Sequence, residues 1–150
     1  MIEMQVETKA VKSRWGLALG EDQQSPVIVR YLQVSVPNKT RRTFGELMNL
    51  QWNYEVLRAN GMPTRDQSHQ MDIFEGAVLK MIEHSGKGIL TAVVTLDGAR
   101  EWMLYVSEPD DVRKLVEELI SEVEGDPVTI EVSPDTQWKG LSELTASFGG

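Results

Sequence analysis

The chain has 150 residues and a formal net charge of −8 at pH 7, with 41% hydrophobic residues, 25% charged residues and no cysteine. A single domain of that length buries roughly 70% of its unfolded surface, so one domain with a real core is expected. The missing cysteines exclude disulfides, thiolate metal sites and a cysteine nucleophile, and the acidic balance repels phosphate backbones, so no nucleic-acid partner is expected.

No apolar run approaches the roughly 20 residues that span a bilayer, so no membrane partner is expected. The opening MIEMQVETKAVKSRW has early acidic residues and no apolar core, unlike a secretory signal. A cytoplasmic location is the simplest expectation.

Residues 1–12 are expected to fray. SRWGLALG (13–20) and the β-branched run PVIVRYLQVSV (26–36) read as a hairpin across GEDQQSP, and 13–45 reads as an N-terminal hairpin extension. PNKTRRTFG (37–45) reads as a loop bearing a basic cluster, Lys39, Arg41 and Arg42. ELMNLQWNYEV (46–56) alternates with period two. Met48, Leu50, Trp52, Tyr54 and Val56 share an inward face, and Asn49, Gln51, Asn53 and Glu55 share a wet one.

ANGMPTRDQSHQMDIFEGAVLKMIEH (59–84) opens on a turn set by Gly61 and Pro63. Thr64 and Gln67 form a capping box, which starts a helix at Thr64. Met71, Phe74, Val78, Met81 and Ile82 make its apolar stripe. Asp66, His69, Asp72 and Glu75 resemble a ligand row, but at about 100° per residue His69 faces away from the stripe, and Asp66 and Glu75 lie on opposite sides. They read as a solvated face, and no metal or cofactor is expected. Glu75 stands at the rim of the stripe, where a carboxylate needs a partner.

GILTAVVTLDGAREWMLYVSEP (88–109) reads as a hairpin. A three-residue loop Leu96-Asp97-Gly98 sets Leu90, Ala92 and Val94 beside Arg100, Trp102, Leu104 and Val106 as one apolar face, and is preferred to a two-residue Asp97-Gly98 turn. It points Arg100 toward Glu75 as a candidate ion pair. SEPDDVRKLVEELISEVEGDP (107–127) reads as a helix with Val112, Leu115, Val116, Leu119, Ile120 and Val123 inward, stopped by Gly125 and Pro127. Eight of the 23 acidic residues lie in 108–126, including Asp110, Asp111, Glu117 and Glu118. PVTIEV (127–132) reads as a strand, and 133–148 as a C-terminal helix held by Trp138.

From residue 46 the order is β-α-β-β-α-β, so the expected class is α+β. Residues 46–132 form a ferredoxin-like antiparallel sheet with two helices on one face. The N-terminal hairpin is expected to extend it beside 46–56, for five or six strands.

Several short features resemble the bacterial family catalogued as domain of unknown function 695. They are Trp15, Ile28-Val29-Arg30, Gly61-Met62-Pro63 before a helix bearing Glu75, Thr95, Asp97-Gly98, Arg100, Tyr105-Val106, and Asp135-x-x-Trp138. The last departs from that family's usual Asp-Pro-x-Trp, because Thr136 follows Asp135. The resemblance implies no activity and no catalytic residues. The family's occasional fusion to a domain similar to ribonuclease E regulator B, an acidic ferredoxin-like protein, implies a regulatory binding role.

The residues themselves offer no phosphate loop and no nucleophile elbow. The expectation is a non-catalytic protein-binding or regulatory module, monomeric or homodimeric. Its partner contacts would come from Lys39, Arg41, Arg42, Asp110, Asp111, Glu117 and Glu118. One alternative is an immunity or antitoxin protein that blocks a basic toxin. Another is an enzyme that uses Glu75 and Arg100 with Tyr105 or Asp72.

Overall fold

The alternation in 46–56 builds a strand over Glu46–Asn53, second from one edge of the sheet, while Val56, expected inward, lies beyond it and is 51% exposed. A computed structural model describes the backbone of residues 2–8 and the whole of 14–148. Its elements run β1 (Ile2–Thr8), β2 (Trp15–Asp22), β3 (Ser25–Leu32), α1 (Asn38–Thr43), β4 (Glu46–Asn53), α2 (Arg65–Ser85), β5 (Gly88–Leu96), β6 (Ala99–Val106), α3 (Pro109–Ser121), β7 (Val128–Pro134) and α4 (Lys139–Ala146). The seven strands form one sheet in the order β1-β2-β3-β5-β6-β4-β7, antiparallel throughout. The fold is therefore mixed α and β around an open antiparallel sheet.

Two local expectations fall to this topology. The N-terminal hairpin adds beside β5, not beside 46–56, because β6 and β7 already flank β4. Part of the stretch expected to fray, Ile2–Thr8, pairs with β2 as a further edge strand; residues 9–12 lie outside the described residues.

Residues 38–43 are helical rather than loop. α1 buries none of its residues, so it has no apolar period to read. Conversely, the acidic helix stops at Ser121, short of 127, and positive φ at Gly125 and Asp126 turns the chain into β7. The terminal helix begins at Lys139, since β7 runs on to Pro134.

The β5–β6 hairpin overturns the preferred register. Leu96 pairs with Ala99, which leaves a two-residue Asp97-Gly98 turn with φ of 38° and 89°. Positive φ at both centres matches the twist of the strands, and Asp-Gly supplies it cheaply. A bulge at Thr91 then shifts the pairing, so Leu90 meets Leu104 while Val93 meets Trp102. Ala92 and Val94 turn to the other face with Met103 and Glu101. The continuous apolar face was a poor guide because both faces of this hairpin are buried.

α2 and α3 cover one face. Met71, Phe74 and Val78 of α2 and Val112, Val116 and Ile120 of α3 pack onto Met48, Leu50, Trp52, Trp102 and Leu104. The other face, expected to be open and polar, carries its own core: Ala18, Val29, Tyr31, Leu47, Ala92, Met103, Tyr105, Trp138 and Phe148. The C-terminal segment is its lid. Only around Gln51 and Asn53 does β4 keep the polar exposure expected of that face.

Candidate functional site

Two polar clusters organise the residues picked out from sequence. The first lies under α2. Arg30 (β3), Val93 (β5), Trp102 (β6) and Leu50 (β4) are cross-strand neighbours in one row. Glu75 comes down onto that row. Arg30 donates from Nη2 to Glu75 Oε1 at 2.6 Å and from Nη1 to Oε2 at 3.1 Å. The Trp102 indole N–H adds a bond to Oε1 at 2.8 Å. Burial would push the Glu75 carboxyl up. The hydrogen bonds from Arg30 and Trp102, with the charges of Arg30 and Arg100, outweigh it and hold the group below the ordinary glutamate range.

Glu75 and Arg100 therefore each enter an ion pair, but not with one another. Arg100 donates from Nε to Thr95 Oγ1 at 2.8 Å and reaches Asp72 Oδ1 at 3.3 Å. The two-residue turn sets Arg100 opposite Thr95, nearer the hairpin tip than Trp102. An arginine inside the apolar run PVIVRYL was the available signal for the true partner, because a charge on a half-buried strand needs a counter-charge.

The Gly61-Met62-Pro63 turn is buried against the β5–β6 hairpin tip. Gly61 C=O accepts from Gly98 N–H at 3.1 Å and from the Tyr54 hydroxyl at 2.6 Å. Asp66 and His69 are exposed on α2. Among the described residues no three His, Asp or Glu side chains converge as metal ligands.

The second cluster ties the C-terminal segment to the sheet. Asp135 accepts from Lys139 N–H at 2.8 Å through Oδ1, and from Gly140 N–H at 2.9 Å and the Tyr105 hydroxyl at 2.8 Å through Oδ2. Leu141 N–H donates to Tyr105 Oη. The first N–H groups of α4 are thus satisfied by two side chains. Burial, then the bond to Asp135, pushes the Tyr105 phenol well above its ordinary value. Trp138 stacks on Tyr105 at a centroid distance of 4.2 Å and donates to Phe44 C=O at 2.9 Å.

The charged partner candidates separate. Arg41 and Arg42 line a cleft of about 550 Å³ between α1 and α4, with Lys139 on the opposite wall. Lys39 is exposed on α1, and Asp110 and Glu118 are exposed on α3. Asp111 pairs with Lys87 at 2.8 Å, alongside Glu108 at 3.1 Å. Glu117 lines a second cleft, of about 660 Å³, between α3 and β7.

These features define a class: a mixed α and β protein on an open antiparallel sheet, in which Gly61, Asp135 and Trp138 hold a turn and the C-terminal lid in place. Residues 13–144 match the model of the family of unknown function DUF695, and the chain belongs to that family. No curated protein and no solved structure matches it. No described helix is long and apolar enough to cross a membrane.

Proposed function

We propose that the chain is a non-catalytic module that docks an extended, basic segment of another protein along β7. The observation behind this reading is the cleft between α3 and β7. β7 ends the sheet, and no strand pairs with its outer edge among the described residues. Beside that edge, Ile120, Val123, Val128 and Ile130 give an apolar floor, and the charged residues lining the cleft are Glu117, Asp126 and Arg113, two acids to one base. An open strand edge next to apolar pockets suits addition of a further strand, whose backbone bonds supply affinity and whose side chains supply specificity. The acid crowded on and after α3 favours a basic segment and speeds its encounter.

The strand order β5-β6-β4-β7, with α2 and α3 on one face, supports reading 46–134 as ferredoxin-like. A cytoplasmic, regulatory role is part of the proposal.

Tagged protein is to be used for capture from its native lysate at low salt, with rising-salt elution and mass spectrometry. One stoichiometric, salt-released partner is expected, and Ile130→Lys with Glu117→Lys should abolish its capture. Affinity that ignores salt and survives both substitutions would reject the β7 groove.

A further inference from the structure

We infer that the cleft between α1 and α4 is a binding site for a small, polar phosphomonoester. Arg41 and Arg42 form one wall and Lys139 faces them. On a chain of net charge −8 this is a local excess of cations. None of the three has a side-chain ion pair or hydrogen bond among the described residues. Arg41 Nε is moreover buried from solvent and has no acceptor. A buried donor without an acceptor is rare in folded proteins; shielded from solvent, Nε lies behind the cleft surface, so contact with a ligand falls to the rest of the Arg41 guanidinium.

Arginine at the end of α1 also opposes the negative end of the helix dipole. That accounts for charge at the helix end, and the Asp135 carboxylate gives Lys139 a nearby opposite charge. Neither guanidinium donates to a carbonyl there, however, and Lys139 forms no direct ion pair among the described residues. The N-terminus of α4 is not the attraction either, since Asp135 and Tyr105 take its first N–H groups. The side chains must do the binding.

The cleft walls are fastened together. Trp138 donates to Phe44 C=O just after α1, and Asp135 N–H donates to Gly45 C=O at 2.8 Å. The Asp135-x-x-Trp138 motif therefore fixes the spacing between the arginines and Lys139. Two planar guanidinium forks match the oxygens of a phosphate, and pre-set spacing lowers the ordering cost of binding.

The remaining lining narrows the ligand. Asn38, Thr136 and Gln137 offer hydrogen bonds, and no aromatic side chain lines the cleft. A nucleobase would have nothing to stack on, whereas hydroxyl groups would be well served. The volume exceeds one phosphate and falls in the range of small-ligand sites. The ligand class that fits is a sugar phosphate. This site is separate from the β7 groove and does not depend on it.

Calorimetric titration of the full chain tests this with inorganic phosphate, a hexose 6-phosphate, the unphosphorylated hexose and a dicarboxylate. The hexose phosphate should bind at least about tenfold tighter than inorganic phosphate, since the neutral groups add roughly one further good contact. The other two should not bind measurably. Arg41→Gln with Arg42→Gln, and separately the exposed Lys139→Gln, should each weaken binding at least about tenfold, with Lys114→Gln on α3 as the unaffected control. The lysine variant leaves the α1 contacts alone, so it tests the site even where the double variant unfolds. Equal binding of the dicarboxylate, no preference over inorganic phosphate, or affinity unchanged by Lys139→Gln would each overturn the assignment.

Discussion

Arg30 and Glu75 form a two-pronged ion pair across 45 positions of sequence, and the Trp102 indole closes the third side of the carboxylate. The pair joins α2 to the N-terminal hairpin through the middle of the sheet. The Glu75 side chain is only 13% exposed while that of Arg30 is 40% exposed, so the buried partner is the one that most needs the contact. Glu75→Ala leaves the indole N–H and the guanidinium without their acceptor. The expected loss is about 2–3 kcal/mol, from stranded donors at a partly buried site. Urea unfolding at neutral pH measures it, and a loss near zero would mean that water replaces the carboxylate freely.

The same pair predicts an acid limb of stability. The folded-state pKa of Glu75 lies below its ordinary value of 4.5. The stabilisation is therefore fully present above that value and is lost as pH falls through the folded pKa. The stability difference between the natural chain and Glu75→Gln should hold from neutral pH down to about 5 and shrink below it. Unfolding midpoints of both proteins across that range check the sign. A difference that grows on acidification would contradict it.

Asp135 holds the C-terminal lid. Asp135→Ala frees two backbone N–H groups of α4 and the Tyr105 hydroxyl, at a cost of about 1–2 kcal/mol, the usual range for a lost helix cap. The near-ultraviolet circular dichroism of the Tyr105–Trp138 stack should weaken before global unfolding. Trp138→Ala should cost more, about 3–5 kcal/mol, because it empties a buried tryptophan site in the second core. Equal losses for the two variants would argue against the lid being pinned mainly by Trp138.

Gly61 is required for close approach as well as for its φ of 78°. A Cβ there would stand 2.5 Å from Asp97 Oδ1 and 2.9 Å from Asp97 Cα. Gly61→Ala should cost about 2–3 kcal/mol, as strain and overpacking combine. Gly86 also has positive φ, at 67°, but a Cβ would meet nothing within 4 Å. Gly86→Ala should cost about 1 kcal/mol, the backbone part alone. Paired thermal melts separate packing from backbone strain.

The β2–β3 turn is poorly served by its residues. Asp22 pairs with Ser25, and Gln23 and Gln24 take φ of 51° and 73° between them. Gln24→Gly removes a side chain from the left-handed region and should stabilise by about 0.5–1 kcal/mol. A rise in the urea midpoint at unchanged slope is the expected reading.

The capping box at Thr64 and Gln67 and the apolar stripes of α2 and α3 were legible because each is a local pattern. Those signals depend on neighbours within a few turns of chain, where backbone geometry dictates the period. So were the inward Met48, Leu50 and Trp52, since a strand exposes its alternation directly. α1 escaped because a short surface helix has no stripe. The register of β5–β6 escaped because the turn is one residue shorter than the preferred loop, and a bulge at Thr91 then reverses the side chains beyond it.

The partners of charged residues were decided elsewhere. Residues 14–148 offered Glu75 several cations, and local spacing put Arg100 within reach. The choice of Arg30 follows from β3 docking beside β5, an arrangement no periodic pattern encodes. The basic cleft has the same origin: Arg41 and Arg42 stand about 100 positions from Lys139 and meet only when Trp138 seats under Phe44 C=O. Secondary structure and inward faces are short-range consequences of side-chain shape and period, and the chain declares them residue by residue. Ion-pair choice, the second core and the cleft are long-range consequences of strand order, which is settled when both faces of the sheet are covered at once.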